Sequence, residues 1–288
     1  MTALLDGTIS AYSLPPSPSV HGSYPIPTTH VMWPIVGTKL HKSVVNALEI
    51  LPGTSPDPLL ASAGADFAVH LTPLPTLSST PSSLTPVLSL KGHLRPVTAL
   101  LPLRTDSLLS ASTDGSLRMW DIQSGAQQAM WTMPKSAVAV AAANDASGTT
   151  AWVALANGDV QLLDTRAGTP AAKWTAGAAA RAIAASTDGR EVALGAADGT
   201  VVLFDFHSRS ICERWRRGRA PIESISFAPG GRVVVGGEDG LPYVVNNRAG
   251  LHVAELVFGN VEAVRGLRVS GELVHIAGDG GVVRKYQL

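Results

Sequence analysis

The stretch from Lys91 to Gly125 limits the possible folds of this chain more than any other feature. Its sequence is KGHLRPVTALLPLRTDSLLSASTDGSLRMWDIQSG, in which apolar and polar residues alternate with the period of two that is typical of β-strands. The pair Asp114-Gly115 separates two such runs, and Asp-Gly in that position is a strong signal for a tight hairpin turn. The stretch therefore predicts a small antiparallel sheet of four strands.

The chain repeats this unit along its length. From Asp114 onward, neighbouring turns are roughly 40 to 43 residues apart, which is too regular for an unrelated β fold. Seven such turns predict an all-β, seven-bladed propeller that occupies residues 1–288 as a single domain. The residues in the turn position are Asp6, Asp66, Asp114, Asn157, Asp198, Asp239 and Asp279.

A second set of residues supports the same register. Trp131, Trp174 and Trp215 each follow the turn residue of their repeat by 17 positions, and Leu256 has the same offset. This spacing predicts that all four lie in the outermost strand of successive blades, where large apolar side chains pack between blades. A ladder of rings that stacks nucleic-acid bases would need interleaved Lys and Arg, and only Trp215 has such neighbours.

The first blade is predicted to be incomplete at the N-terminus. Met1 to Leu5 can supply only its second strand, and Leu288 ends the third strand of blade seven. We therefore expect the inner strand of blade one and the outer strand of blade seven to be missing. Such a seam leaves sheet edges open to association.

Four polar residues of the Lys91–Gly125 repeat have the spacing of a hydrogen-bonded chain: His93, Ser110, Asp114 and Trp120. The carboxylate can accept from the imidazole, the imidazole can bridge to the hydroxyl, and the hydroxyl can accept the indole N–H. Pairing avoids a cost of about 1 to 3 kcal/mol for each group buried alone. We expect this chain to be structural.

Blade two keeps three of the four residues. It has His41, Ser62 and Asp66, but Thr72 stands at the position of the tryptophan. The complete polar chain is therefore expected once, and the other blades must depend on apolar packing.

A catalytic role for His93, Ser110 and Asp114 is the alternative, since these residue types form hydrolase triads. The nucleophile would then lie inside a blade, and the chain has no metalloprotease helix, phosphate-binding loop, nucleophile elbow or CxxC pair. We predict that the protein is not an enzyme and needs no cofactor or metal, although acids and histidines converging on a central channel stay an alternative. The single cysteine, Cys212, is expected to fill the core.

Composition narrows the class of partner and the compartment. The 22 basic and 22 acidic side chains cancel, so no nucleic acid is expected as partner. The lone cysteine indicates a reducing compartment, and the N-terminus lacks the pattern of a signal peptide. With no apolar run of membrane-spanning length, we expect a cytoplasmic and nuclear protein without membrane contact, monomeric outside its complex.

The repeat resembles the WD repeat, whose signature is a Gly-His pair followed by Trp-Asp, here Gly92-His93 and Trp120-Asp121. The run from Ala220 through Leu288, which contains APIESIS and GGEDGLPYVVNN and ends in DGGVVRKYQL, also looks like the end of the proteasomal ATPase-associated factor family. Members of that family are WD-repeat chaperones of the 26S proteasome regulatory particle. They carry a further N-terminal segment that this sequence lacks, so the sequence is expected to be truncated.

That resemblance implies an assembly chaperone that binds the C-terminal domain of a proteasomal ATPase subunit. A scaffold subunit of another complex, in ribosome biogenesis or signalling, is the alternative. The loops between an outer strand and the next inner strand repeat basic residues at one rim, which predicts a docking face for an acidic partner. The residues predicted to bind the partner are Lys91, Arg95, Lys135, Arg181, Trp215, Arg217 and Arg219.

Overall fold

The fold is built from short antiparallel strands. The computed structural model describes residues 2–3, 7–11, 28–29, 36–51, 58–74, 84–143, 148–167, 170–208, 210–246, 252–256, 262–279 and 283–288. These residues form 27 β-strands. No helix among them is long and apolar enough to cross a bilayer. The all-β prediction is confirmed.

The strands near the N-terminus form one sheet of three strands. The first four strands are β1 (Thr2–Ala3), β2 (Thr8–Ala11), β3 (Thr28–Thr29) and β4 (Val36–Lys39). Strands β1, β2 and β4 pair with one another as the N-terminal sheet, whereas β3 joins another sheet. The predicted turn at Asp6 lies outside the described residues.

Six further sheets have four strands each, and we number them blades two to seven along the chain. Blade two contains β5 (Val45–Leu51), β6 (Leu59–Gly64), β7 (Val69–Pro73) and β8 (Leu88–Leu90). Blade three contains β9 (Val97–Pro102), β10 (Ser107–Ser112), β11 (Ser116–Asp121) and β12 (Gln127–Thr132). Blade four contains β13 (Ala137–Ala142), β14 (Thr150–Leu155), β15 (Asp159–Asp164) and β16 (Pro170–Thr175).

The remaining blades follow the same plan. Blade five contains β17 (Ala180–Ala185), β18 (Glu191–Ala196), β19 (Thr200–Asp205) and β20 (Ser210–Arg216). Blade six contains β21 (Ile222–Ala228), β22 (Arg232–Gly237), β23 (Tyr243–Asn246) and β24 (His252–Glu255). Blade seven contains β25 (Val264–Ser270), β26 (Leu273–Gly278), β27 (Val283–Gln287) and β3.

Two of the topological expectations need correction. The structure has six complete blades and not seven, because the N-terminal sheet has only three strands. The expectation that blade seven lacks its outer strand is wrong. Strand β3 takes that position, with Thr29 opposite Arg284 and Thr28 opposite Lys285. A strand from the N-terminal part of the chain thus covers the edge that was expected to be open.

The chain divides into two compact units. Unit one comprises Met1–Ser13, Trp33–Ala156 and Val160–Trp174, and therefore contains the N-terminal sheet, blades two and three, and most of blade four. Unit two comprises Leu14–Met32, Asn157–Asp159 and Thr175–Leu288, and contains blades five to seven. The single domain over 1–288 stays a prediction.

The alternation in the sequence produces the packing inside each unit. In unit one, Trp120 and Leu108 of blade three pack with Leu71 and Leu90 of blade two in one buried cluster. Trp131 lies on β12 in the next cluster, which joins blades three and four. Trp174 and Trp215 likewise lie on the fourth strands β16 and β20, whereas Leu256 follows the last residue of β24.

A β-bulge recurs in the first strand of blades two to seven. In each strand the second residue has no partner in the ladder, and a bulge of this kind re-aims the side chain. In unit one, Asn46 donates from Nδ2 to the Val97 carbonyl (2.8 Å), and Thr98 Oγ1 donates to the Ala137 carbonyl (2.8 Å). The bulged residues of blades two and three therefore each connect their blade to the next one.

Candidate functional site

The polar residues of blade three form a continuous hydrogen-bonded chain. His93 Nδ1 is 3.1 Å from Asp114 Oδ2, and His93 Nε2 is 2.7 Å from Ser110 Oγ. Trp120 Nε1 donates to the same hydroxyl at 2.8 Å. Ser116, which the sequence analysis did not include, donates from Oγ to Asp114 Oδ1 at 2.6 Å.

Burial and hydrogen bonding fix the charge states of His93 and Asp114. Burial lowers the pKa of His93, so the imidazole is neutral in the folded protein. Burial alone would raise the pKa of Asp114, but hydrogen bonds from Ser116, from the Leu94 amide and from His93 hold that pKa well below its usual range. The Asp114 carboxylate is therefore charged, and both of its oxygens accept hydrogen bonds.

The alternative that Ser110 is a catalytic nucleophile fails, because a substrate cannot reach its hydroxyl. Ser110 has 0% exposure, and its Oγ accepts the indole N–H of Trp120 while contacting His93. A nucleophile must reach a substrate carbonyl, and this hydroxyl is enclosed by its own blade. The arrangement joins the loop before β9 to the turn after β10, and its role is structural.

The same loop and turn carry the predicted contact residues of unit one. The Leu94 amide donates to Asp114 Oδ2, and the Thr113 amide donates to the Pro96 carbonyl. Ser136 donates from Oγ to the Thr113 carbonyl, so the loop before β13 reaches the same turn. These bonds place the exposed side chains of Lys91, Arg95 and Lys135 around one rim of blade three.

Two exposed apolar residues belong to this rim. Leu94 is 77% exposed, and Phe67 is 41% exposed in the turn between β6 and β7. Because Val69 pairs with Leu90, the antiparallel register brings Phe67 close to the start of the Lys91 loop. We define the blade-three rim as Phe67, Lys91, Leu94, Arg95 and Lys135.

Phe67 also has a strained backbone, which the sequence analysis missed. Its φ is 70°, in the left-handed region that non-glycine residues rarely adopt. In the other repeats, the corresponding position holds a glycine with φ between 68° and 89° wherever that residue itself is described. The signal in the sequence was Asp66-Phe67 in place of Asp-Gly. Those glycines are Gly7, Gly115, Gly158, Gly199 and Gly240.

In unit two, three of the four predicted contact residues, Arg181, Trp215 and Arg217, have contacts within the fold. Arg181 lies on strand β17, not in a loop, and its Nη1 is 3.9 Å from Glu223 Oε1. Trp215 is partly buried in the apolar cluster that joins blades five and six. Arg219 is exposed in the loop before β21.

Arg217 serves the packing of blade six. Its Nη1 donates to the Leu241 carbonyl at 2.9 Å, and its guanidinium lies 4.9 Å from the centre of the Tyr243 ring. Asp239 and Glu255 are within 3.7 and 4.0 Å of the same group. Arg217 is therefore a structural residue, and its partners could not be inferred from spacing alone.

Cys212 corrects a further expectation. The thiol does not fill the core, because Cys212 is exposed on strand β20. Partial burial and the nearby carboxylates of Asp205, Glu191 and Glu213 raise the pKa of the thiol. A thiol with a raised pKa is a weak nucleophile at neutral pH.

Comparison with known proteins agrees with this architecture. The family described as WD domain, G-beta repeat matches residues 84–121, which include blade three up to Asp121. A solved structure, the WD40 beta propeller domain of Doa1, covers 99% of this chain and 88% of its own, with a TM-score of 0.76 and 16% sequence identity. The chain has the fold of a WD40 β-propeller. No curated protein shows significant similarity in sequence.

The expectation of a WD-repeat fold is thus confirmed, most directly for blade three. WD40 propellers are typically interaction scaffolds without a catalytic centre, and they bind protein partners. The likeness to the Doa1 domain is one of fold, because 16% identity is too low to carry a partner across.

Proposed function

We propose that this WD40 propeller docks a protein partner on the blade-three rim. The observation that carries the proposal is a set of exposed cations beside exposed apolar side chains. Lys91, Arg95 and Lys135 form no ion pair within the part of the chain that the structure describes. Leu94 and Phe67 supply apolar area between them. Apolar anchors with cations around them are the composition of an interface hot spot.

The strained conformation of Phe67 supports a role outside folding. A bulky residue at positive φ costs on the order of 1 to 3 kcal/mol, and a glycine would avoid that cost. Such strain persists at positions where a side chain is needed for binding. With 41% of its surface exposed, Phe67 still offers apolar area to a partner.

The chemistry of this rim favours an acidic partner surface with apolar residues at its centre. We propose the C-terminal domain of a proteasomal ATPase subunit, bound during assembly of the 26S regulatory particle in the cytoplasm and nucleus. The support is the similarity of residues 220–288, above all of their final strand, to the end of the proteasomal ATPase-associated factors. Gly280 of that run lies outside the described residues, while Tyr286 is buried in blade seven. A scaffold role in another complex is the alternative.

Binding of purified ATPase C-terminal domains to the full chain tests the proposal. We expect Lys91→Glu with Arg95→Glu to weaken binding at least tenfold, chiefly through a slower, salt-dependent association rate. The melting temperature should not change, because both side chains are exposed. Arg104→Glu is the matched control, since Arg104 is exposed at the β9–β10 connection, at the opposite end of the same blade.

Loss of binding in Arg104→Glu, with binding retained in the double variant, would place the docking face at the other end of the blade. If no ATPase domain binds but Leu94→Ser and the double variant abolish the recovery of one defined complex from cells, the scaffold alternative is correct. If these variants affect no interaction, the rim is not a docking surface.

A further inference from the structure

Blade two contains a cluster of metal-ligating groups that the polar chain of blade three does not have. His41, Asp66 and His70 each offer one ligand atom, and the three atoms lie within 4.8 Å of one another. His41 is buried, while Asp66 and His70 are half-buried, so the cluster is reachable from the rim. The ring centroids of the two histidines are 4.6 Å apart.

We infer that His41, Asp66 and His70 form a binding site for one divalent transition-metal ion. Two imidazole nitrogens and one carboxylate oxygen are the donor set of zinc sites that keep an open fourth position. Nitrogen donors favour Zn²⁺, Co²⁺, Ni²⁺ and Cu²⁺ over Mg²⁺ and Ca²⁺, which prefer an all-oxygen shell.

The missing tryptophan of blade two makes this coordination possible. In blade three the Asp114 carboxylate can only accept, so the ring proton of His93 is on Nδ1, and Ser110 Oγ donates to Nε2 while it accepts the indole N–H of Trp120. Thr72 stands at the corresponding place in blade two, opposite Leu60 as Trp120 is opposite Leu108. Blade two has no indole N–H at this place, so the acceptor position of Ser62 Oγ that corresponds to the one filled by Trp120 in blade three stays open.

Ser62 is therefore able to accept a hydrogen bond from His41. Its Oγ is 2.9 Å from His41 Nε2, and a proton on that nitrogen leaves a lone pair on Nδ1. His41 Nδ1 faces Asp66 Oδ1 at 2.9 Å. Without metal, Nδ1 carries the proton and donates to that carboxylate. A metal ion can take the place of this proton, because His41 can then carry its proton on Nε2 and donate it to Ser62.

The third ligand is oriented by its own hydrogen bond. His70 Nδ1 is 2.8 Å from Ser89 Oγ, and donation from Nδ1 leaves the Nε2 lone pair for the metal. Hydrogen bonds of this kind fix the tautomer and the ring orientation of ligating histidines. Ser62 and Ser89 would both act as supporting residues of this type.

Blade three supplies an internal contrast. The residue opposite Ser110 is Arg118, whereas the residue opposite Ser62 is His70. A guanidinium has no lone pair to donate, and its charge repels a metal ion. Blade three thus has the same His and Asp pair without the third ligand.

Metal titration of the full chain, prepared free of metal with a chelator, tests the inference. Calorimetry with Zn²⁺ should show one equivalent bound to the wild type, with a rise in melting temperature that increases with zinc concentration. Co²⁺ should give the visible absorption of a site with nitrogen and oxygen ligands. We expect His70→Arg, the residue of blade three, to abolish saturable binding, and Ser89→Ala to lower affinity about tenfold.

Two further variants make the result decisive. His275→Gln changes another half-buried histidine, on β26, and should keep one equivalent of Zn²⁺. His70→Gln replaces His70→Arg if the arginine variant does not melt cooperatively. Absence of one-equivalent binding in the wild type, or equal affinity in the folded His70 variant, would overturn the site, while docking at the rim could still occur.

Discussion

One residue separates the polar chain of blade three from that of blade two. Trp120 completes the chain by donating to Ser110, whereas the Thr72 hydroxyl at the corresponding position is buried and makes no hydrogen bond to any residue that the structure describes. A hydroxyl that loses water without gaining a partner destabilises the folded state by about 1 to 3 kcal/mol. This difference between the two blades could be predicted from the sequence, because Trp120 and Thr72 have the same place in their repeats.

We therefore predict that Thr72→Val raises the free energy of unfolding by about 1 kcal/mol, since a methyl group replaces the unpaired hydroxyl at similar volume. Thr98→Val is the matched control. Its hydroxyl donates to the Ala137 carbonyl, so the same substitution there should lower stability by about 1 kcal/mol. Chemical denaturation of both variants measures the difference, and shifts of equal sign would contradict the assignment.

At the scale of strands and loops, pattern alone predicted which elements form but not what their charged residues contact. The period-two runs and turn residues predicted the strands of blades two to seven, including the tryptophans on β12, β16 and β20. Strand β3 was missed because Thr28–Thr29 is two residues long and carries no alternation. Arg181 and Arg217 were predicted to be available for a partner, because spacing within one repeat does not reveal that acidic residues of the following blade lie beside them.

The arginines at the end of β20 provide a test at this scale. Arg217→Ala should lower the free energy of unfolding by about 1 to 2 kcal/mol, because it removes the bond to Leu241 and the contact with the Tyr243 ring. Arg219→Ala should change stability by less than about 0.5 kcal/mol, since that side chain is exposed. Thermal melts compare the two variants. Equal losses of stability would show that the contacts of Arg217 stabilise the fold no more than an exposed arginine does.

Over the whole molecule, histidines and a carboxylate with lowered pKa values make acid destabilise the folded state. Burial lowers the pKa of His93, and burial together with the Lys285 charge lowers that of His275. The pKa of Asp114 is also lowered. In all three cases the unfolded chain binds the proton more readily than the folded chain does, so acid favours unfolding.

The two kinds of group act in different pH ranges. The histidines contribute stability that is present above the unfolded value of about 6.5 and is lost as the pH falls toward their folded pKa. The contribution of Asp114 is lost only below the unfolded carboxyl value of about 4. Between pH 7 and 5 the histidines therefore decide the slope.

We predict that the melting temperature of the chelated protein falls between pH 7 and pH 5. Each additional proton bound by the unfolded chain removes up to about 1.4 kcal/mol per pH unit. His275→Gln should make this fall smaller, because glutamine fills the half-buried position without titrating. A slope that is unchanged in His275→Gln would mean that His275 stays equally easy to protonate after folding, and its burial beside Lys285 would then have no electrostatic consequence.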